Sequence, residues 1–234
     1  MTDAISAPDG HRGDTPSSTA VSLALAKAIH EQRLEPGIKL GEDELAKIYG
    51  VSRTIIRSAL QTLAHGQLVE IHRNRGAFVA KPTPKEAREV FEARELLEPR
   101  TARMAAKKAS IDDIARLGAH IDSEHKALEE GDQGKALYLS GQLHVQIAQI
   151  AGQATIAGFI EDLIARSSLI VALYWKRESA LCERHAHHSL VQAIGDNDPN
   201  RAEELMRSHL VDLHSALDLR EPRSLAGSLR EMLE

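Results

Sequence analysis

The sequence predicts a mainly α protein, with an N-terminal winged helix-turn-helix followed by an all-α helical bundle. Three observations predict it. Hydrophobic residues make up 42% of the 234 and aromatics only 3%, so the core is aliphatic and alanine-rich, which favours helices over strands. Up to Gly66 the apolar spacing is helical, and it then switches to alternation over a short stretch. Beyond Lys81-Pro82-Thr83-Pro84 the helical spacing resumes and continues almost to the end.

Taken in order, residues 1–16 are rich in Asp, Gly, Pro, Thr and Ser and read as a disordered tail. The spacing of Val21, Leu25, Ala28 and Ile29 predicts a helix over 18–32, closed by the turn Glu35-Pro36-Gly37. A short helix follows over 42–48, with Leu45 and Ile48 inward and Gly50 at its C-terminal end. Ser52 caps a third helix running to about His65. Val69 and Ile71 share one strand face, Arg73-Asn74-Arg75-Gly76 makes a tight turn, and Ala77-Phe78-Val79 returns. The winged unit therefore spans 17–81, and 82–234 forms the bundle. Thr83, Pro84 and Glu86 carry the cap, first-turn proline and capping-box acid of a helix start. Helices are expected over 84–108, 111–130, 134–151, 154–179, 181–195 and 199–218, with a short one from 224. Pro99 inside the first should kink it.

One cysteine, Cys182, excludes an internal disulfide framework and fits a reducing compartment. With no signal-like N-terminus and no apolar run of membrane-spanning length, the expected location is cytoplasmic, with no membrane partner. The net charge of −5 is unevenly spread. Residues 17–81 hold nine Lys and Arg against six acids, whereas 82–234 hold nineteen against twenty-five. A modestly basic module beside an acidic one suggests that only the first meets phosphate.

The third helix divides its faces. Ile56, Leu60 and Leu63 form an apolar stripe that anchors it, while Ser52, Arg53, Thr54 and Arg57 are offered from its first turns to the major groove. There a guanidinium can donate in bidentate fashion to O6 and N7 of guanine. At the hairpin tip, Arg73, Arg75 and Gly76 suit adjacent phosphates or the minor groove. Such a helix alone is equally often an ordinary amphipathic one with two solvated arginines. The basic hairpin and the helix-helix-helix-hairpin order decide for DNA.

The run from Leu34 to Ala80 resembles the GntR family of regulators. It carries Pro36-Gly37, Leu40, Glu42, Glu44-Leu45-Ala46, Gly50-Val51-Ser52-Arg53-Thr54, Arg57, Ala59-Leu60, Leu63 and Asn74-Arg75-Gly76-Ala77-Phe78-Val79. Phe91-Glu92-Ala93-Arg94, Leu97-Glu98-Pro99, Ala102-Arg103 and Ala105-Ala106 are similar to the opening of the FCD effector domain of the FadR-type branch. The resemblance implies DNA contacts at Arg53, Thr54, Arg57 and the wing around Arg75-Gly76. It departs at Asp43, where many members have an arginine that touches DNA.

His144, His187 and His209 lie on three predicted helices, each in line with apolar residues. From spacing alone, twelve histidines make such alignments easy, and ordinary core histidines explain them as well as a metal site does. The resemblance implies a divalent-metal site, zinc or similar, built from these three and an aspartate one turn before the first. Ser140 stands at that aspartate's position. Either a weakened three-histidine site or a metal-free pocket follows. Arg94, Tyr138, Trp175 and Arg177 are further candidates for binding an effector, and the arginines suit a carboxylate.

These features point to a DNA-binding transcriptional regulator, most simply a homodimeric repressor on a short palindrome, controlled by a small carboxylate in the bundle. A metal-dependent hydrolase using the three histidines is the alternative from another class, but no general base or nucleophile pair accompanies them. A sequence-independent architectural binder conflicts with the large acidic half.

Overall fold

The computed structural model describes residues 16–176 and 181–220. The expected tail up to residue 15, Arg177 and the helix expected from 224 lie outside them.

The first helix, α1 (Ser18–His30), starts where the Ser17 hydroxyl accepts the Ala20 N–H at 3.1 Å, replacing a bond the first turn lacks. It buries Val21, Leu25, Ala28 and Ile29. After the short strand β1 (Lys39–Leu40) come α2 (Glu42–Tyr49) and α3 (Arg53–His65). Gly50, at φ 64°, turns the chain out of α2 in the left-handed region that glycine tolerates best. The Ser52 hydroxyl then caps α3 by accepting the Ile55 N–H at 3.4 Å. Ile56, Ala59, Leu60 and Leu63 are the buried face of α3. The wing is β2 (Val69–His72) and β3 (Gly76–Val79), antiparallel with Val69 opposite Val79 and His72 opposite Gly76. Its third strand is β1, giving the order β1-β3-β2.

Sequence spacing misses β1, because two residues carry no readable alternation. One inward assignment is also corrected. Ile48 is 67% exposed, because α2 is only two turns long and buries Leu45 alone. Ile71 is 52% exposed while Val69 is 2% exposed, since Ile71 lies two residues further along the ribbon towards its tip.

The bundle comprises α4 (Pro84–Lys108), α5 (Ile111–Glu129), α6 (Gln133–Ile150), α7 (Ala154–Tyr174), α8 (Leu181–Gly195) and α9 (Pro199–Ser215). Capping boxes open α4, through Thr83 and Glu86, and α5, through Ser110 and Asp113. Asp132 and Asp198 cap α6 and α9. Ala102, Ala105 and Ala106 on α4 pack into one cluster with Leu117, Ile121, Leu143, Ile147, Leu190, Met206 and Leu210. Small side chains on α4 let its neighbours approach closely. Helix α7 ends about five residues before the sequence suggests. Trp175 turns to an extended conformation and bridges Leu217, while the Asp218 N–H donates to the Tyr174 carbonyl at 2.8 Å. That pairing also stops α9 at Ser215, short of the expected 218.

The two parts share a packed seam. Leu169 of α7, 1% exposed, inserts into the core of the winged unit. His30 Nδ1 lies 3.0 Å from Ser168 Oγ, and the His30 ring stacks on Tyr138 at 6.1 Å. Because the Ser168 hydroxyl donates to the Ala165 carbonyl at 2.7 Å, it accepts from His30, which places the imidazole proton on Nδ1. The start of α6 meets the end of α1 at Gly134, where a Cβ would lie 2.0 Å from the Glu31 carbonyl oxygen. Only glycine fits there without displacing backbone.

Candidate functional site

On the winged unit, Ser52, Arg53, Thr54 and Arg57 are all exposed on the outer side of α3, and Arg73, Arg75 and Gly76 are exposed at the wing tip. Asn74 and Gly76 adopt positive φ, 62° and 96°, which makes the tip sharp. The Arg75 guanidinium lies 5.8 Å from the centre of the Phe78 ring, a cation–π distance. Arg57 is gripped by Glu42 of α2: its Nε donates to Oε1 at 3.1 Å and an η-nitrogen donates to Oε2 at 2.8 Å. Arg53 reaches the same carboxylate at 3.4 Å and Asp43 at 3.2 Å. Hydrogen bonding from Arg57 holds the Glu42 carboxyl below its ordinary value despite the opposing cost of desolvation. Sequence alone marks Glu42 as part of the family resemblance but gives it no role, because it lies 15 residues from Arg57 and meets it only once α2 and α3 have packed together.

In the bundle, His144 on α6, His187 on α8 and His209 on α9 meet, each 4% exposed or less. His209 Nε2 is 3.2 Å from His187 Nε2 and 3.3 Å from His144 Nε2. Behind them stand two buried carboxylates. Glu98 of α4 accepts from His144 Nδ1 at 2.5 Å, and Glu124 of α5 accepts from His187 Nδ1 at 3.1 Å. An ionised carboxylate can only accept, so both rings carry their proton on Nδ1 and aim the Nε2 lone pair inward. Burial pushes His144 and His209 below the ordinary histidine value, keeping them neutral. Burial would raise Glu98, but Arg94 and His144 overcome it and hold the carboxyl at about 2. The donor set therefore fits a divalent cation: neutral imidazoles with converging lone pairs, two of them oriented by carboxylates from behind.

Arg94 is 3% exposed and turned inward. Its Nε donates to Glu98 Oε1 at 2.6 Å and one η-nitrogen to the Ser167 hydroxyl at 3.2 Å. Its Nε edge thus serves an internal carboxylate. Arg94, Tyr138, Ser140, His144 and Trp175 line a cavity of about 960 Å³ that also reaches Lys27 and His30 of α1. Glu124 is in the same lining, whereas His187 and His209 are not part of it. Sequence reasoning did not single out Glu98 or Glu124. For Glu98 a signal existed, the i,i+4 spacing from Arg94. Glu124 had none, because its partner is 63 residues away.

Comparison with known proteins joins these two regions. The family profile "Bacterial regulatory proteins, gntR family" matches residues 17–79, and the profile "FCD domain" matches residues 89–212. The chain belongs to the GntR family. It is a transcriptional regulator of the GntR type with an FCD domain. The uxu operon regulator of Haemophilus influenzae is 26% identical over 228 residues, covering 87% of this chain and 84% of the relative. The galactonate operon transcriptional repressor of Escherichia coli is 28% identical over 210 residues, covering 79% and 89%. A GntR transcriptional regulator structure from Rhodococcus sp. RHA1 shares the fold, with a TM-score of 0.74 at 21% identity over 85% of this chain and 95% of that one. Family and relatives are regulators rather than enzymes, and nothing in them supports the hydrolase reading. Among the described residues no helix is long and apolar enough to cross a membrane.

Proposed function

We propose that this GntR regulator is a repressor whose hold on its operator is set by a small carboxylate entering the cavity beside a divalent metal. The observation that carries the reading is the convergence of three Nε2 atoms with Glu98 and Glu124 behind two of the rings. His144, His187 and His209 would hold the ion, and a cation there supplies a Lewis-acidic anchor for an oxygen ligand. Ser140, one turn before His144, offers only a neutral hydroxyl, so a carboxylate from the cavity is the natural completion of the set. The lining of Ser140, Gln142, Ser167 and Ser168 is rich in hydrogen-bonding groups, which supports a polyhydroxylated acid. The name of the galactonate repressor among its relatives agrees with that class.

On the DNA side, Ser52, Arg53, Thr54 and Arg57 would read the major groove, with Arg73, Arg75 and Gly76 on the backbone or minor groove. Two-fold operators need two recognition helices, which supports a homodimer on a short palindrome. A thermal-shift and calorimetric screen of sugar acids with and without Zn²⁺, on the full chain and on His187→Ala, tests the reading. Metal-dependent stabilisation by an acid, absent in His187→Ala, is the expected result. Metal binding indifferent to His187 would overturn it. A full chain that is monomeric at micromolar concentration would overturn the dimer.

A further inference from the structure

We infer that Glu42 is a positioning residue for operator reading, holding the Arg57 guanidinium by one edge so that the adjacent edge, formed by the two η-nitrogens, is presented to a base pair. The inference rests on α3 being the helix that reads DNA. It adds a function for α2, which contributes a carboxylate to the reading surface.

The chemistry lies in the count of donors. A guanidinium carries five N–H groups in one plane, one on Nε and two on each η-nitrogen. The Glu42 fork, at 3.1 and 2.8 Å, engages the Nε–H and one N–H of the neighbouring η-nitrogen. The outer edge retains one N–H on each η-nitrogen, parallel and pointing away from Glu42. Guanine O6 and N7 accept such a parallel pair. Support and reading therefore use different edges of the same group and do not compete. Arg53 is braced in the same way from the same side, by Glu42 at 3.4 Å and Asp43 at 3.2 Å.

Fold stability does not account for this arrangement. The side chains are 57% exposed for Arg57, 59% for Arg53, 71% for Asp43 and 28% for Glu42. Pairs so open to water contribute little to folding and are weakened by salt. Two carboxylates on a face that meets a polyanion also oppose attraction to DNA. Their net effect is to cancel the charge of Arg53 and Arg57 while fixing their direction. General attraction to phosphate is then left to the wing, with Lys39, Arg73 and Arg75. Helix α3 gains affinity only where a base accepts the fork, which is discrimination rather than stickiness.

The probe is a duplex selected from a random DNA pool by the wild-type chain, with a scrambled duplex of the same composition as reference. Glu42→Gln keeps size but loses the charge and the two-oxygen fork. It should bind the selected duplex about tenfold more weakly, and the scrambled duplex as well as wild type or better. Its thermal melting should match wild type. In an Arg57→Ala background, Glu42→Gln should leave the selected-to-scrambled ratio unchanged, because the group it positions is gone. A Glu42→Gln chain with an undiminished ratio would overturn the inference. If Arg57→Ala alone keeps the wild-type ratio, the reading of α3 falls and this inference falls with it.

Discussion

The outer face of α3 and the histidine centre of the bundle use the same device under opposite conditions. In each, a carboxylate stands behind a nitrogen-bearing side chain and fixes where it points. Glu42 and Arg57 do this in water, at 28% and 57% exposure; Glu98 and His144 do it at 1% and 2%. In water, the pair is screened and each partner is solvated without the other, so the arrangement directs a donor at little gain to the fold. Inside, neither partner has an alternative. Glu98 accepts from Arg94 and His144 together, and losing it would strand a buried guanidinium. If the proposed reading of α3 holds, the same geometry serves recognition at the surface and stability in the interior, and burial decides which.

The largest expected effect tests the buried side. Glu98→Gln should cost about 3–5 kcal/mol of folding stability, because it leaves the Arg94 charge unpaired. Urea unfolding measures this, and a loss below about 1 kcal/mol would erase the contrast with the surface. Arg57→Ala should behave in the opposite way. Melting should be unchanged, while affinity for the selected duplex should fall by about ten- to a hundredfold. Arg75→Ala should weaken selected and scrambled duplexes alike. A fall in melting temperature for Arg57→Ala would show that the exposed fork is structural after all.

Ser140→Asp sharpens the comparison by placing a third carboxylate at the centre. It should tighten Zn²⁺ binding about tenfold, or roughly 1.4 kcal/mol, and destabilise the metal-free protein through an added, half-buried charge with no cation beside it. His187→Ala should remove the gain. Equal affinity of wild type and Ser140→Asp, by calorimetry, would mean that position 140 does not face the three rings' common centre.

The smallest effect concerns the seam. Burial lowers His30 below 6.5, with Glu31 acting in the opposite direction. Lys27 and Glu31 on its own helix, Ser168 on α7 and Tyr138 on α6 are the charged and polar groups around it. As pH falls through 6.5 the undocked ring takes up a proton and the docked ring resists. The seam is therefore at full strength above that value and weakens below it, levelling off once the docked ring also protonates. Hydrogen exchange over residues 27–34 should be faster at pH 5.5 than at pH 7.5 beyond the intrinsic rate change, and His30→Gln should abolish the excess.

Much of the fold was legible because helix signals are local. Thr83, Pro84 and Glu86 mark the start of α4, and Gly50-Val51-Ser52 marks the break between α2 and α3. Features that depend on a distant partner were not legible. Strand β1 exists because Lys39 and Leu40 pair with Phe78 and Ala77, and α7 stops at Tyr174 because residues 216–218 pair with 174–176. The site divides in the same way. The inward lines of His144, His187 and His209 follow from helical periodicity, whereas Glu42 and Glu124 gain their meaning from residues on other helices, and Glu98 was readable only through its spacing from Arg94. Arg94 shows both sides. Its place in the bundle was readable, but its engagement with Glu98 was hidden by the expectation that a cavity arginine faces a ligand.

The contact at Gly134 makes the join between the two units a fulcrum. Real Cβ atoms almost never approach another heavy atom closer than 3.0 Å, and a Cβ at 134 would stand 2.0 Å from the Glu31 carbonyl oxygen. Any other residue would thus prise α1 and α6 apart by about an ångström at that point. Glu31 closes α1 on one side of the fulcrum, and the cavity, with His30 and Tyr138 in its wall, lies beside it. An effector of the kind proposed, wedged into the cavity, would act on the short arm of this lever. On the proposed reading the long arm carries α3 and the wing, where a small rotation at the join would become a larger displacement of Arg57 and Arg75 across the DNA.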